Sequence, residues 1–343
     1  MLDREDMLAR IEYFPEQCAR AVKIGESIVL PSYRTISHLV ISGMGGSAIG
    51  GELLLDYTRN DINIPLVVNR HYSIPRFVNQ KSLVFVCSYS GNTEETLQAW
   101  EEARKRRAKL IVVTTGGKLG QEAKANKIPT ILLPFIGPPR SALGYSFFPL
   151  LIILQKLKLI PNRNREIEEA IEVLHRLKDK YVPECPRSEN LAKQLAERLY
   201  HYLPVIYGSQ DTTSAVVSRW RGQFNENSKT YAFSNVIPEM NHNEIVGWEH
   251  SRELTKNFQV IILHDPADSP RVQKRQEITR LILEKNAAGI VEITGEGNSL
   301  LARMFSLIYL GDFVSFYLAI LKGVDPTPVA SIDFLKKSLE GTP

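Results

Sequence analysis

The apolar positions of the chain fall first into short β-rich runs broken by polar or glycine-rich stretches: PLVVN (65–69), SLVFVCS (82–88), KLIVVTT (109–115) and PTILLP (129–134). Ahead of them, HLVISGMGGSAIGGELLLDYTR (38–59) reads as a short strand, a glycine-rich turn and a helix with Leu53, Leu54 and Tyr57 on one face. Helical patterns such as TEETLQAWEEARKRR lie between several of the runs. This alternation predicts a parallel sheet with helices on both faces.

After Pro139 the pattern changes to long helices, SALGYSFFPLLIILQKL and NREIEEAIEVLHRLKDKYV, separated by KLIPNRN. The first unit then begins again. YLPVIYGSQDTTSAVVSRWRGQF (202–224) reads as strand, Gly-Ser turn and helix, followed by strands at FQVIILH (258–264) and AGIVEITG (288–295). The expected fold is α/β, with two similar lobes, each a parallel sheet flanked by helices. The N-terminal lobe is expected over 1–150, a helical connector over 151–190 and the C-terminal lobe over 191–343. Near the start, Ile11, Phe14, Cys18 and Val22 predict a helix up to about Leu30, packed on a lobe or on a partner chain. MFSLIYLGDFVSFYLAIL (304–321) has about the minimum length of a membrane span, but Asp312 at its centre and Gly311 beside it predict a buried helix.

Composition narrows the classes. With 343 residues, two domains are the default, and 43% hydrophobic and 23% charged residues are the mix of an ordinary globular protein. A net charge of +4, from 42 basic and 38 acidic residues, calls for no nucleic-acid partner and suggests a modest preference for anionic ligands. Cys18, Cys87 and Cys185 lack zinc or redox spacing and read as reduced thiols. No apolar signal core interrupts the charges of the first thirty residues, so a cytoplasmic protein without membrane attachment is expected.

Two turns carry candidate chemistry. SGMGGSAIGG places Gly43, Gly45, Gly46, Gly50 and Gly51 around Ser47, where backbone amides and a helix N-terminus favour an anion. Gly43, Gly45 and Ala48 also match part of a dinucleotide fingerprint. The acidic residue that NAD binding needs after the next strand is replaced by Asn69 and Arg70, so this reading becomes an NADP enzyme using Arg70. A purely structural glycine turn is the third possibility. In VFVCSYSGNTEETLQAW (84–100), Ser88, Ser90 and Thr93 supply hydroxyls and the turn supplies free amides, enough to hold a phosphate without lysine or arginine. Capping of the helix by Ser90 or Asn92 accounts for one of these hydroxyls and leaves the others without a role.

Together with these loops, the segments GPPRSALGYSF, RGQFNENSKTYAF, PEMNHNEIVGWE and DPTPVASIDFLKK resemble the bifunctional phosphoglucose/phosphomannose isomerase family, which has the sugar isomerase (SIS) fold. The likeness runs from residue 38 to 340 in the family's order. It implies two SIS-type lobes, phosphate binding by Gly45, Gly46, Ser47, Ser88, Ser90 and Thr93, and interconversion of glucose 6-phosphate and mannose 6-phosphate with fructose 6-phosphate through an enediol. The matched positions make Glu226 the base that moves the proton between C2 and C1. His242 matches a ring-opening histidine reached from the neighbouring subunit of a homodimer, with Glu239 or Glu244 beside it to orient it. Lys322 matches a lysine near the ring oxygen, and Arg140 an arginine that stabilises the enediolate. Ser315, seven residues before Lys322, is a candidate for C2-epimer tolerance. Neither metal nor cofactor is expected, which separates this chemistry from that of zinc-dependent mannose-phosphate isomerases. Two other function classes compete: an NADP-dependent oxidoreductase built on the glycine loop, and a sugar-phosphate sensor without catalysis.

Overall fold

A computed structural model describes residues 2–339. It opens with α1 (Met7–Glu12) and α2 (Phe14–Ser27), followed by β1 (His38–Gly43), α3 (Gly45–Thr58), β2 (Leu66–Asn69), β3 (Ser82–Cys87), α4 (Glu94–Lys105), β4 (Lys109–Thr114), α5 (Gly117–Ala125) and β5 (Thr130–Leu132). Helices α6 (Leu143–Lys156), α7 (Asn164–Tyr181) and α8 (Leu191–Leu199) come next. The second half holds β6 (Leu203–Ser209), α9 (Ser214–Glu226), β7 (Phe233–Ile237), α10 (Arg252–Thr255), β8 (Phe258–His264), α11 (Pro270–Leu283), β9 (Gly289–Thr294), α12 (Leu300–Leu321) and α13 (Ala330–Leu339).

The strands form two parallel sheets, of order β2-β1-β3-β4-β5 and β7-β6-β8-β9. The second repeats the first with one strand fewer, so the internal duplication read from the sequence is present in the strand order. All six residues of β3 are buried, the mark of a strand covered on both faces. One large apolar cluster runs from α1 and α2 through both sheets to α6, α7, α8 and α12, so the long central helices pack into a common core.

Two sequence expectations change. The N-terminal helix is broken at Tyr13, and α2 starts with Pro15 in its first turn, where its missing N–H costs nothing. The apolar pattern does not predict β7, because FSNVI is an edge strand with only Ile237 fully buried and so lacks an apolar run. The apolar segment at 304–321 is buried as expected. It belongs to α12, a 22-residue helix whose most apolar window has mean hydropathy 1.8 and is 83% buried inside the protein. Gly311 lets α12 meet α9, since a Cβ there would stand 2.5 Å from the Trp220 ring.

Helices α3 and α9 pack against each other and run in opposite directions. Near the end of α3, the Asp56 carboxylate accepts from Ser214 Oγ (2.9 Å) and the Ala215 amide (2.8 Å) at the start of α9. The start of α3 therefore lies beside the end of α9. This brings the carboxyl edge of the first sheet to the last turn of α9, level with the amino edge of the second sheet.

Candidate active site

At the carboxyl end of β3, Ser88 is buried and its Oγ accepts from the amides of Gly91 (3.1 Å) and Thr93 (3.4 Å) and lies 2.9 Å from Thr93 Oγ1. Gly91 has φ 72°, and a Cβ there would sit 1.9 Å from the Gly116 carbonyl oxygen, so only glycine closes this turn. Across the crevice, Ser47 Oγ accepts from the Tyr89 amide at 3.1 Å, tying the two loops together. Ser90 is exposed, and its Oγ accepts from the Asn92 amide at 3.2 Å. Thr93 occupies the N-cap of α4 without bonding a helix amide, and Met44 does likewise at α3. The capping alternative thus fails in its expected form, and the first-turn amides of α3 and α4 are left without a side-chain cap. Arg70, the residue on which the NADP reading depends, is ion-paired with Glu52.

The glycine loop leads directly to the candidate catalytic groups. Gly46 packs on a 3₁₀ turn, Pro139–Ser141, so closely that a Cβ would lie 2.8 Å from the Pro139 carbonyl carbon and 3.1 Å from the Arg140 nitrogen. From that turn the buried Arg140 guanidinium donates through Nη1 to Glu226 Oε2 (3.2 Å) and through Nε to Asn227 Oδ1 (2.6 Å). Its Nη2 donates to the carbonyls of Pro326 and Thr327, each at 2.8 Å. Burial lowers the Arg140 pKa from its ordinary value, partly offset by the Glu226 charge. The Glu226 side chain keeps 35% of its surface exposed, so a ligand can reach it.

Two lysines stand nearby. Lys322 Nζ donates to Thr230 Oγ1 at 2.8 Å, and burial lowers its pKa. Lys229 Nζ donates to the carbonyls of Glu226 (2.9 Å) and Pro326 (3.0 Å), and its pKa is lowered first by burial and then by the Arg140 charge. Sequence reading missed Asn227, Lys229 and Thr230, although all three lie in the NENSKTY segment beside Glu226. Ser315 is fully buried, donating to the Asp312 carbonyl (2.8 Å) and accepting from Asn227 Nδ2 (3.0 Å).

His242 lies elsewhere. It ends a 3₁₀ turn after β7, at the carboxyl edge of the second sheet, and is exposed. Glu226 lies at the amino edge of that sheet, so the length of β7, about 16 Å for five residues, separates the two levels. The carboxylates flanking His242 are engaged away from it: Glu239 accepts from Asn243 Nδ2 (2.7 Å), and Glu244 from Tyr207 Oη (2.5 Å) and Asn235 Nδ2 (2.6 Å).

The duplicated lobe has a corresponding crevice between the loops after β6 and β8, but it is filled from within. Asp268 Oδ1 accepts from Ser209 Oγ and Thr212 Oγ1, both at 2.8 Å. Helix α11 is capped by Ser269, whose Oγ accepts from Val272, and it carries Pro270 in its first turn. The turn after β6 thus carries a carboxylate of its own chain on its hydroxyls.

Two parallel sheets flanked by helices, with a hydroxyl- and amide-lined crevice at a carboxyl edge, define a sugar isomerase (SIS) fold. The C-terminal domain of glucosamine-fructose-6-phosphate aminotransferase from Francisella tularensis shares it, with a TM-score of 0.72 at 16% identity over 94% of this chain and 98% of that one. A family model described as the bacterial phospho-glucose isomerase C-terminal SIS domain matches residues 188–339. Sequence comparison goes further. The chain is 47% identical over 334 residues to the bifunctional phosphoglucose/phosphomannose isomerase of Caldicellulosiruptor bescii, covering 97% of this chain and 98% of that protein. The protein of the same name from Aquifex aeolicus is 39% identical over 309 residues, covering 88% and 90%. The chain belongs to the bifunctional phosphoglucose/phosphomannose isomerase family.

Proposed function

We propose that this protein interconverts glucose 6-phosphate and mannose 6-phosphate with fructose 6-phosphate. The observation that carries the reading is the junction at Gly46. It sets the phosphate crevice against the turn bearing Arg140, whose guanidinium reaches Glu226. A 6-phosphate held by the amides of Gly45, Gly46 and the start of α4, and by the hydroxyls of Ser47, Ser88, Ser90 and Thr93, would direct its sugar chain toward this pair.

In the open-chain aldose, the Glu226 carboxylate takes the proton from C2 and later returns it to C1, while a second proton passes from O2 to O1. The enediolate between these steps carries its charge on oxygen. Arg140 offers a preformed, water-excluded cation beside it, needing little rearrangement as the charge develops. Because the enediol is planar at C2, the two C2 epimers lead to one intermediate, and glucose and mannose 6-phosphates share it. In this reading Lys322 serves the ring oxygen during opening, which its half-buried position and lowered pKa support.

His242 enters through a homodimer in this reading. The observation that favours it is the separation of His242 and Glu226 across the second sheet, which a copy related by a two-fold axis would remove. Glu226→Gln should abolish turnover while phosphosugar binding stays within about threefold, because the amide keeps the shape but cannot accept a proton. Mixing inactive Glu226→Gln and His242→Gln proteins should restore activity, since a mixed dimer holds one intact site. Persistent inactivity of the mixture, with mixed dimers demonstrated, would count against the shared site.

A further inference from the structure

We infer that Arg219 and Asp312 are positioning residues for the Arg140–Glu226 pair, an inference that rests on the proposed isomerase reading. Arg219, on α9, and Asp312, at the middle of α12, are both buried, with relative exposures of 5% each. The Asp312 carboxylate receives Arg219 Nε (3.2 Å to Oδ1) and Nη2 (2.9 Å to Oδ2) and also Gln223 Nε2 (2.8 Å to Oδ1). The same Arg219 Nη2 donates to the main-chain carbonyl of Arg140 at 2.8 Å. Arg219 thus touches the turn from which the Arg140 side chain departs, but touches neither Glu226 nor the crevice.

A second branch closes the network. The Asp312 carbonyl accepts from Ser315 Oγ, Ser315 Oγ accepts from Asn227 Nδ2, and Asn227 Oδ1 accepts from Arg140 Nε. Arg140 is therefore fixed at its main chain through the Asp312 side chain and at its guanidinium through the Asp312 main chain. Both routes begin at one residue of α12. A long, rotamer-rich arginine would otherwise have to be restrained mainly by the Pro326 and Thr327 carbonyls, and those belong to an irregular segment.

The chemistry makes this position matter. Proton transfer at C2 needs Glu226 and the enediolate oxygen site to be aligned together, and a shift on the order of 1 Å in such a constellation costs about 100-fold in rate. A buried ion pair is expensive to desolvate and is often replaceable by apolar residues without loss of stability, so stability alone is a weak account of Arg219–Asp312.

The test uses the full chain, with steady-state kinetics on glucose 6-phosphate and washout of the C2 deuteron into solvent measured in parallel. Arg219→Lys keeps a charge opposite Asp312, but its ammonium ends about one bond short of Nη2, the nitrogen that bonds both Asp312 and the Arg140 carbonyl, so the contact to that carbonyl is weakened. Asp312→Asn removes the charge and one of the two acceptor oxygens that hold Arg219 and Gln223, and serves as the second variant. Expected are a kcat lowered by about 10- to 100-fold with KM within about threefold, and a larger fraction of label lost to solvent because the base is less well aligned. Thermal unfolding of each variant reports its folded state, and Arg219→Lys is the variant expected to remain folded. A folded Arg219→Lys with wild-type kcat and washout would overturn the inference alone. A loss confined to KM would also overturn it, by reassigning the network to phosphosugar binding. Absence of turnover by the unmodified protein would overturn the functional reading and this inference with it.

Discussion

In the proposed isomerase Gly46 joins phosphate binding to proton transfer, and Gly46→Ala tests that junction. The substitution places a methyl group 2.8 Å from the Pro139 carbonyl carbon, 2.9 Å from its oxygen and 3.1 Å from the Arg140 nitrogen. Carbon atoms rest at about 3.5–4.0 Å, so the two backbones must part by roughly 0.7 Å. Neither side yields easily, because one is the first turn of α3 and the other a 3₁₀ turn whose Arg140 is held by five hydrogen-bonding groups of the surrounding structure. Overpacking of this kind costs about 1–3 kcal/mol in stability. The displacement of Arg140 from the crevice is large on the scale of catalytic alignment and should lower kcat by about 10- to 100-fold. The assay pairs thermal unfolding with phosphosugar kinetics, and Gly222→Ala is the control. Gly222, in the middle of α9, has open space where a methyl group would stand, with no neighbouring atom within 4 Å. Alanine there should add about 1 kcal/mol of helix stability and leave kcat unchanged. A Gly46→Ala enzyme with wild-type kcat would refute the claim that this contact sets the distance between the loops.

Two further outcomes follow from buried carboxylates. Burial raises the Asp56 pKa from 3.8 to about 6, so between those values the folded protein keeps a proton that the unfolded chain has released. The contribution of Asp56 to stability is therefore fullest below pH 4 and falls by about 3 kcal/mol as pH rises through 6. Asp56→Asn keeps an acceptor for the Ala215 amide without the charge, and its melting temperature relative to wild type should rise between about pH 4 and 7; a difference independent of pH would contradict the linkage. Asp268→Ala removes the acceptor of Ser209 and Thr212 and should cost about 1–3 kcal/mol in stability, measured by urea unfolding, with kcat/KM unchanged. Selective loss of turnover in folded Asp268→Ala protein would show that the substrate occupies the second lobe's crevice instead.

Strands β3, β4 and β8 were legible because each is an apolar run bounded by polar residues, and their observed limits fall within a residue of the sequence reading. β7 was not, because its side chains lie on a sheet edge and carry no periodic apolar signal. In the site, the hydroxyl-rich turn after β3 could be read from composition and spacing. The Arg140–Glu226 contact could not, since 86 residues separate the partners and only the stacking of α3 on α9 brings them together. Asp312 was visible only as a charge that spoils a membrane span. Its partner Arg219, 93 residues away, is what turns that charge into part of a network.

The central claim is that this crevice isomerises hexose 6-phosphates, and NMR of the reaction mixture tests it most directly. Glucose 6-phosphate and mannose 6-phosphate are offered separately to EDTA-treated protein, and product is followed with time. Fructose 6-phosphate formed from both is the predicted result, together with loss of both activities in Glu226→Gln. No fructose 6-phosphate from either sugar, with the protein folded and the phosphosugar bound, would contradict the account.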